Sequence, residues 1–243
     1  MGVPLRFRSI SELMASSQPS ITSPASDPPP FSYRAELKRK ALHILALVVP
    51  LGMGWLGMPE ALYVLVPLSA IGLAGDVLRA ASPRFHRLIR RVFGPLMRPH
   101  EVPPPGTGVV INGATWVLVS ATLLAAVFPL RVAVPVFTMF MVSDAVAALV
   151  ERRWGRRYWP KSPRTVGGSA ALLASGLAAI ACFPSIPYGI GAASVAAACA
   201  AEALPGPGND NLRVPVAGAA AVVLLERALL GEPISLFQGL LVL

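Results

Sequence analysis

Residues 132–157 read VAVPVFTMFMVSDAVAALVERRWGRR. The 19 residues 132–150 carry one ionisable side chain, Asp144, and Arg152, Arg153, Arg156 and Arg157 follow at once. An apolar run of about 20 residues, wound as a helix, matches the thickness of a bilayer core. A basic cluster directly after such a run is how the positive-inside rule shows itself in a sequence. The apolar character is continuous rather than alternating, which excludes a β-barrel.

Comparable runs lie on both sides of this one, at roughly 41–58, 60–78, 109–129, 169–184, 186–204 and 213–230. The expected fold is therefore all-α, a polytopic membrane protein of about seven transmembrane helices. Composition agrees: of 243 residues, 54% are hydrophobic and only 14% charged, with a mean hydropathy of +0.63. A soluble domain has nearer a quarter charged residues, so a soluble enzyme is excluded. Cys182 and Cys199 are the only cysteines, and both read as small buried residues rather than a disulfide framework.

The net charge of +9 does not point to nucleic acid. Seventeen of the 21 Lys and Arg fall at 34–40, 79–98, 152–164 and 213, all bordering or linking apolar runs. With the N-terminus cytoplasmic, the loops 79–108, 151–168 and 205–212 are all cytoplasmic, and the outer turns carry little beyond Glu60 and Arg131. Residues 1–33 are Pro/Ser-rich, without the apolar core of a signal peptide, and read as a disordered cytoplasmic tail. Residues 79–101 place Phe85, Leu88, Ile89, Val92 and Phe93 at helical spacing among arginines, the pattern of a helix lying on a membrane surface. Residues 233–243 are apolar but too short to cross and are expected to pack at the outer interface.

Ionisable and amide groups inside apolar runs are costly and mark function by default. Here they gather at the cytoplasmic ends of the spans: Glu36, His43, Asp76, Glu101, Asn112, Asp144, Glu202, Asn209, Asp210 and Asn211. Carboxylates beside Arg and Lys suit a divalent cation with phosphates, because Mg²⁺ takes one or two carboxylates plus phosphate oxygens. The basic groups then neutralise charge during phosphoryl transfer. Asp144 lies about two turns in from the basic loop, on an Ala-rich stretch that permits close helix packing. Gly167-Gly168-Ser169 opens the next span, where a Gly pair lets backbone N–H groups approach a phosphate. Arg39 and His43, four apart, share a helix face.

Together these motifs resemble the polytopic lipid-alcohol kinase family, which contains dolichol kinase, phytol and farnesol kinases and the CTP-dependent diacylglycerol kinase of fungi. The resemblance covers most of residues 34–230. The family's Arg-Lys followed by His matches Arg39, Lys40 and His43. Its Gly/Ser-Asp-x-x-Ala pattern with a following Gly-Arg-x-x-Gly matches Ser143, Asp144, Ala147, Arg152 and Gly155. Its Lys-Thr-x-Glu-Gly-Ser pattern matches Lys161, Gly168 and Ser169. Its Glu-Ala-x-Pro followed by Asp-Asn-x-x-x-Pro matches Glu202, Ala203, Pro205, Asp210, Asn211 and Pro215. There are two departures: Glu151 stands where a Gly is usual, and Gly167 where a Glu is usual.

The resemblance implies a kinase-like domain over 34–243 that transfers the γ-phosphate of CTP, with ATP the second choice of donor, to the hydroxyl of a membrane lipid alcohol (a polyprenol such as dolichol, phytol or diacylglycerol). Arg39, Lys40, Arg152, Arg153, Arg156 and Lys161 are expected on the triphosphate, with Gly167, Gly168 and Ser169 as backbone donors. Asp144 and Asp210 are expected to hold Mg²⁺, supported by Asn209 and Asn211. One of Asp144, Asp210 and Glu202 is expected to accept the alcohol proton. Two other readings compete. One is cytidylyl transfer to phosphatidate, although the chain lacks the His-Gly-Gly signature of the phosphatidate cytidylyltransferases. The other is a small-anion or lipid transporter, although no internal repeat is visible and the polar residues avoid the midplane.

Overall fold

The computed structural model describes residues 33–94, 97, 101–206 and 208–237. Residues 1–32 of the expected tail, Arg98 and His100 of the second basic stretch, and 238–243 lie outside them. Among the described residues the chain is helical, with one isolated bridge between Tyr158 and Thr165. The helices are α1 (Tyr33–Leu45), α2 (Val48–Leu56), α3 (Glu60–Ala81), α4 (Pro83–Phe93), α5 (Gly113–Val127), α6 (Leu130–Trp154), α7 (Val166–Ile180), α8 (Tyr188–Ala203) and α9 (Asp210–Leu230).

Helix α6, built from the stretch quoted first, is the axis of the bundle. Its buried residues include Val132, Val136, Phe137, Phe140, Met141, Ser143 and Ala147, which point around most of its circumference. A helix apolar all round belongs in the interior, and α6 accordingly packs against α1, α2, α5, α7, α8 and α9. The tightest approaches use small residues. A Cβ on Gly176 of α7 would lie 2.7 Å from Val195 Cγ1 of α8, and one on Gly218 of α9 would lie 3.0 Å from Val136 Cγ1 of α6. Such glycines let helices approach where lipid gives no hydrophobic drive to association.

Among the described residues three segments are long and apolar enough to cross a membrane: Leu37–Leu56, Glu60–Ala81 and Leu130–Trp154. Gly113–Val127, Val166–Ile180 and Tyr188–Ala203 are apolar but shorter. At 1.5 Å per residue a 15-residue helix is about 22 Å long, less than the ~30 Å hydrocarbon core. The shortening has local causes. Asn112 caps α5 by accepting from the N–H groups of Ala114 and Thr115, so the span expected from 109 begins at Gly113. The first apolar run is interrupted between Leu45 and Val48, dividing it into α1 and α2. The surface helix expected over 79–101 is confined to α4, where Ser82 is the N-cap and Pro83 holds the first helical position.

The contacts between helix ends collect the polar chemistry at the two ends of the bundle. At one end, Arg131 grips the buried Glu226 with two hydrogen bonds of 2.8 and 2.9 Å. There too Phe237 donates its N–H to the Val127 carbonyl at 2.7 Å, tying the chain at 237 to the end of α5. The opposite end gathers the start of α5, the ends of α3, α6 and α8, and the starts of α7 and α9.

Candidate active site

The first group at this end joins α1 to α6. Lys40, almost fully buried, makes an ion pair with Asp144. His43, one turn further along α1, holds Nε2 3.3 Å from the same carboxylate oxygen, without the alignment of a hydrogen bond. The His43 ring meets Phe140 edge-on at 6.1 Å between centroids. A carboxylate on a buried helix needs a compensating cation, and the 104-residue separation of Lys40 from Asp144 makes this pair a clamp between the first helix and the axis.

The second group centres on Arg164, in the loop between α6 and α7. The loop turns back as a short hairpin. Trp159 N–H donates to the Arg164 carbonyl, Val166 N–H to that of Arg157, and the Trp159 indole donates to Ser169 Oγ at 3.0 Å. Lys161 sits at the tip with a left-handed φ of 58° and is exposed. The hairpin aims Arg164 inward, where its guanidinium reaches three carboxylates: Glu151 at 3.4 Å, Glu202 at 3.6 Å and Asp210 at 2.5 Å. Arg213 holds the other Asp210 oxygen at 2.8 Å. Burial works against the charge of Arg164, yet the carboxylates of Glu202 and Asp210 outweigh it. They raise its pKa above the ordinary guanidinium value, with the Asp144 charge adding to them. Arg164 thus stays charged and electrostatically links the two groups.

The third group joins α3 to α5. Asp76 accepts from Arg79 at 3.0 Å, from the Asn112 backbone N–H at 3.0 Å and from the Asn112 side chain. Arg79 also donates to the carbonyls of Glu101 and Val110. Asn211 Nδ2 reaches the Gly113 carbonyl at 3.4 Å, tying α9 to the same corner. Beside this group lies a cavity of about 700 Å³ between α1, α3, α4 and α5.

The expected site residues therefore divide. Lys40, His43 and Asp144 come together, as do Glu202 and Asp210, and Asp76 with Asn112. Arg152, Arg153, Arg156 and Lys161 are exposed around the loop. Asn112 and Asn209 act as helix N-caps, Asn209 accepting from Asn211 N–H at 2.9 Å. The backbone donors expected at 167–169 are narrowed. Thr165 caps α7, its hydroxyl taking the Gly168 N–H and its carbonyl the Ser169 N–H, so of the three only Gly167 N–H has no such partner in the cap.

Arg164 and Glu151 are the residues that sequence reasoning passed over. Glu151 Oε1 accepts the Thr165 N–H at 2.7 Å, and a Cβ on Gly168 would lie 3.3 Å from it. Gly167 is open, with nothing within 4 Å of an added Cβ. The two departures from the family pattern thus flank one helix cap, and the carboxylate at that cap is supplied from position 151. Among the described residues no group of three or more His, Cys, Asp or Glu side chains converges as a metal site.

Searches of known proteins return sequence relatives. No family model matches the chain, and no solved structure does. Over 153 residues the chain is 31% identical to the CTP-dependent diacylglycerol kinase 1 of Schizosaccharomyces pombe, covering 60% of this chain and 66% of that protein. The chain is thus similar in sequence to that diacylglycerol kinase. It spans about two thirds of the length of that curated relative. An uncharacterized protein of Rickettsia prowazekii is 26% identical over 144 residues, 58% of this chain and 67% of its own. That similarity agrees in kind with the resemblance carried by the sequence motifs.

Proposed function

We propose that the protein is a CTP-dependent lipid kinase of about seven membrane spans, with its N-terminus and active site at the cytoplasmic face and a neutral lipid alcohol, diacylglycerol first, as acceptor. The observation that carries this reading is the convergence at one end of the bundle of the Lys40–Asp144–His43 group and the Arg164-centred carboxylates, beside an apolar cavity. A lipid hydroxyl reaches such a site from the bilayer and a nucleotide from the water.

In the reaction the lipid oxygen forms a bond to the γ-phosphorus, the bond from that phosphorus to the β–γ bridging oxygen breaks, and CDP leaves. The hydroxyl proton passes to a carboxylate. Asp144, Asp210 and Glu202 are the candidate acceptors, each held by a cation, Asp144 by Lys40 and the other two by Arg164, and of the three Asp144 stands beside His43 on the cavity wall. Arg39 and the exposed Arg152, Arg153, Arg156 and Lys161 hold the triphosphate, and Gly167 N–H offers a backbone contact. Asp144 and Asp210, supported by Asn211, would hold Mg²⁺, a set suited to an ion that keeps water and phosphate in its shell. That ion would neutralise charge on the phosphates. The main work of the chain is positioning and charge compensation, as in other phosphoryl transfers.

The test uses purified protein in detergent with Mg²⁺, dioleoylglycerol, phytol, a polyprenol and phosphatidate, and CTP labelled separately at the γ- and α-phosphates. Label from the γ position in one lipid is the expected result and names the acceptor. Label from the α position in lipid means cytidylyl transfer and overturns the reading.

A further inference from the structure

The 700 Å³ cavity differs at its two ends. Toward the bundle end lie Asp76, Arg79 and Asn112, already hydrogen-bonded to one another. Away from it the walls are apolar: Leu42 of α1, Val49 of α2, Ile71 of α3, and Val117 and Leu118 of α5. Phe85 and Ile89 of α4 form the roof, while Arg84, Arg87 and Arg90 of the same helix are exposed. Ile71 and Leu42 are also well exposed, so the apolar end opens sideways to the surroundings of the bundle. In a bilayer that opening faces acyl chains, and α4 lies where a surface helix belongs.

We infer that this cavity holds the head and the first part of the chains of a neutral, hydroxyl-bearing lipid, entering from the bilayer beneath α4. The inference rests on the kinase reading and says where its acceptor binds. Three observations carry it. Volume is the first: pockets for small ligands run about 300–1,000 Å³. At ~30 Å³ for a water-sized unit, 700 Å³ takes roughly 20 such groups, a headgroup with part of its chains. The second is charge. Among the described residues the lining carries Arg39 and Arg79 against Asp76 and Glu101, so the fixed charges cancel. A phosphate-bearing lipid needs a positive surplus, and a neutral alcohol does not. Third, His43 lies on the cavity wall with Nε2 3.3 Å from Asp144, so a hydroxyl at that wall is adjacent to the carboxylate group of the site.

Gly75 provides the test. It lines the cavity, and a Cβ added there meets nothing within 4 Å, so Gly75→Phe fills the space without disturbing the backbone. Gly52, in α2 and outside the cavity lining, has equally open surroundings, and Gly52→Phe is the control. The full chain is reconstituted in dioleoylphosphatidylcholine vesicles with a dioleoylglycerol analogue bearing a diazirine on one acyl chain, without nucleotide. Photolabelling is expected within 60–81 and 113–127, reduced at least tenfold by Gly75→Phe and unchanged by Gly52→Phe. Unlabelled dioleoylglycerol is expected to compete and dioleoylphosphatidate to fail. Labelling elsewhere, or undiminished labelling in Gly75→Phe, overturns the location, and equal competition by phosphatidate overturns the neutral headgroup. The γ-labelled CTP assay reports separately. Cavity labelling without phosphate transfer leaves the acceptor cavity standing and removes the kinase, and transfer with labelling elsewhere does the reverse.

Discussion

Replacing Arg164 by Met isolates the contribution of the loop. Its guanidinium lies 3.4 Å from Glu151, 3.6 Å from Glu202 and 2.5 Å from Asp210. At an effective dielectric constant near 20, a pair at 3.5 Å gains about 5 kcal/mol of Coulomb energy before desolvation. Desolvation removes much of this, and measured losses on breaking one side of a buried pair are about 3–5 kcal/mol. Arg164 is 21% exposed and Asp210 34%, which argues for the lower figure, about 3 kcal/mol. In a chain of this size that is a fall in Tm of about 6–12 °C. The loss comes chiefly from Glu202, whose carboxylate is 5% exposed and keeps no comparable cation. Removing that charge as well, in Arg164→Met/Glu202→Gln, is expected to recover about half of the fall. Thermal unfolding in detergent, followed by the fluorescence of Trp154 and Trp159 beside the loop, reads both variants. A single variant within 2 °C of the parent, or a double variant whose loss is the sum of the two singles, would falsify the account of Arg164 as the counter-charge of these carboxylates.

Asp144→Asn is expected to lower γ-phosphate transfer at least about 100-fold. It also strands the buried Lys40, so Lys40→Met in the same chain should recover thermal stability without recovering turnover; recovery of both would make the pair structural only. Arg131→Ala strands Glu226, which is 4% exposed, and should cost about 3 kcal/mol in unfolding while leaving kcat per folded molecule unchanged; a changed kcat would connect the two ends of the bundle. Glu151→Gly removes the acceptor of the Thr165 N–H, worth about 1–3 kcal/mol when buried, and should raise KM for CTP more than it lowers kcat. Adding Gly167→Glu to that variant returns a carboxylate to the same cap and should bring KM back toward the parent; no rescue would mean that the cap does not read the carboxylate's position.

The fold, and the gathering of polar residues at one end of the bundle, are legible in the sequence for one reason: they follow from local pattern. Apolar runs, their bordering arginines and a lone Asp144 in a 19-residue run are properties of contiguous residues. The helices fall close to the expected spans, and Lys40, His43 and Asp144 meet because both of their helices run to the same end of the bundle. The first turns of α5 and α9 are legible too, since Asn directly before an apolar run is an N-cap signal, and the sequence also places Asn112 and Asn209 among the polar groups at that end. What stayed hidden is pairing between distant residues. Arg164 is one of six basic residues in its loop, and only the hairpin of 158–165 separates it from the exposed Arg157. Its one sequence cue is the Thr165 that follows, which caps α7 and so fixes the direction of the residue before it. Glu226 is 95 residues from Arg131, and neither stands out alone.

The two ends of the bundle use charge for different purposes. Arg131 and Glu226 form a closed pair, two hydrogen bonds between one cation and one carboxylate, with the demands of both largely met. At the other end Arg164 serves three carboxylates, and Asp144 has both Lys40 and His43 at one oxygen. Shared partners can be redistributed when a new charge arrives, whereas a bidentate pair cannot release one member without stranding the other. A triphosphate bound by the exposed arginines would draw on the field of Lys40 and Arg164 and loosen their hold on Asp144 and Asp210. Those carboxylates would then be available to a cation or a proton. On this argument Lys40→Met should weaken CTP binding and turnover together, whereas Arg131→Ala should lower stability alone. The reverse pattern would place the chemistry at the wrong end of the molecule.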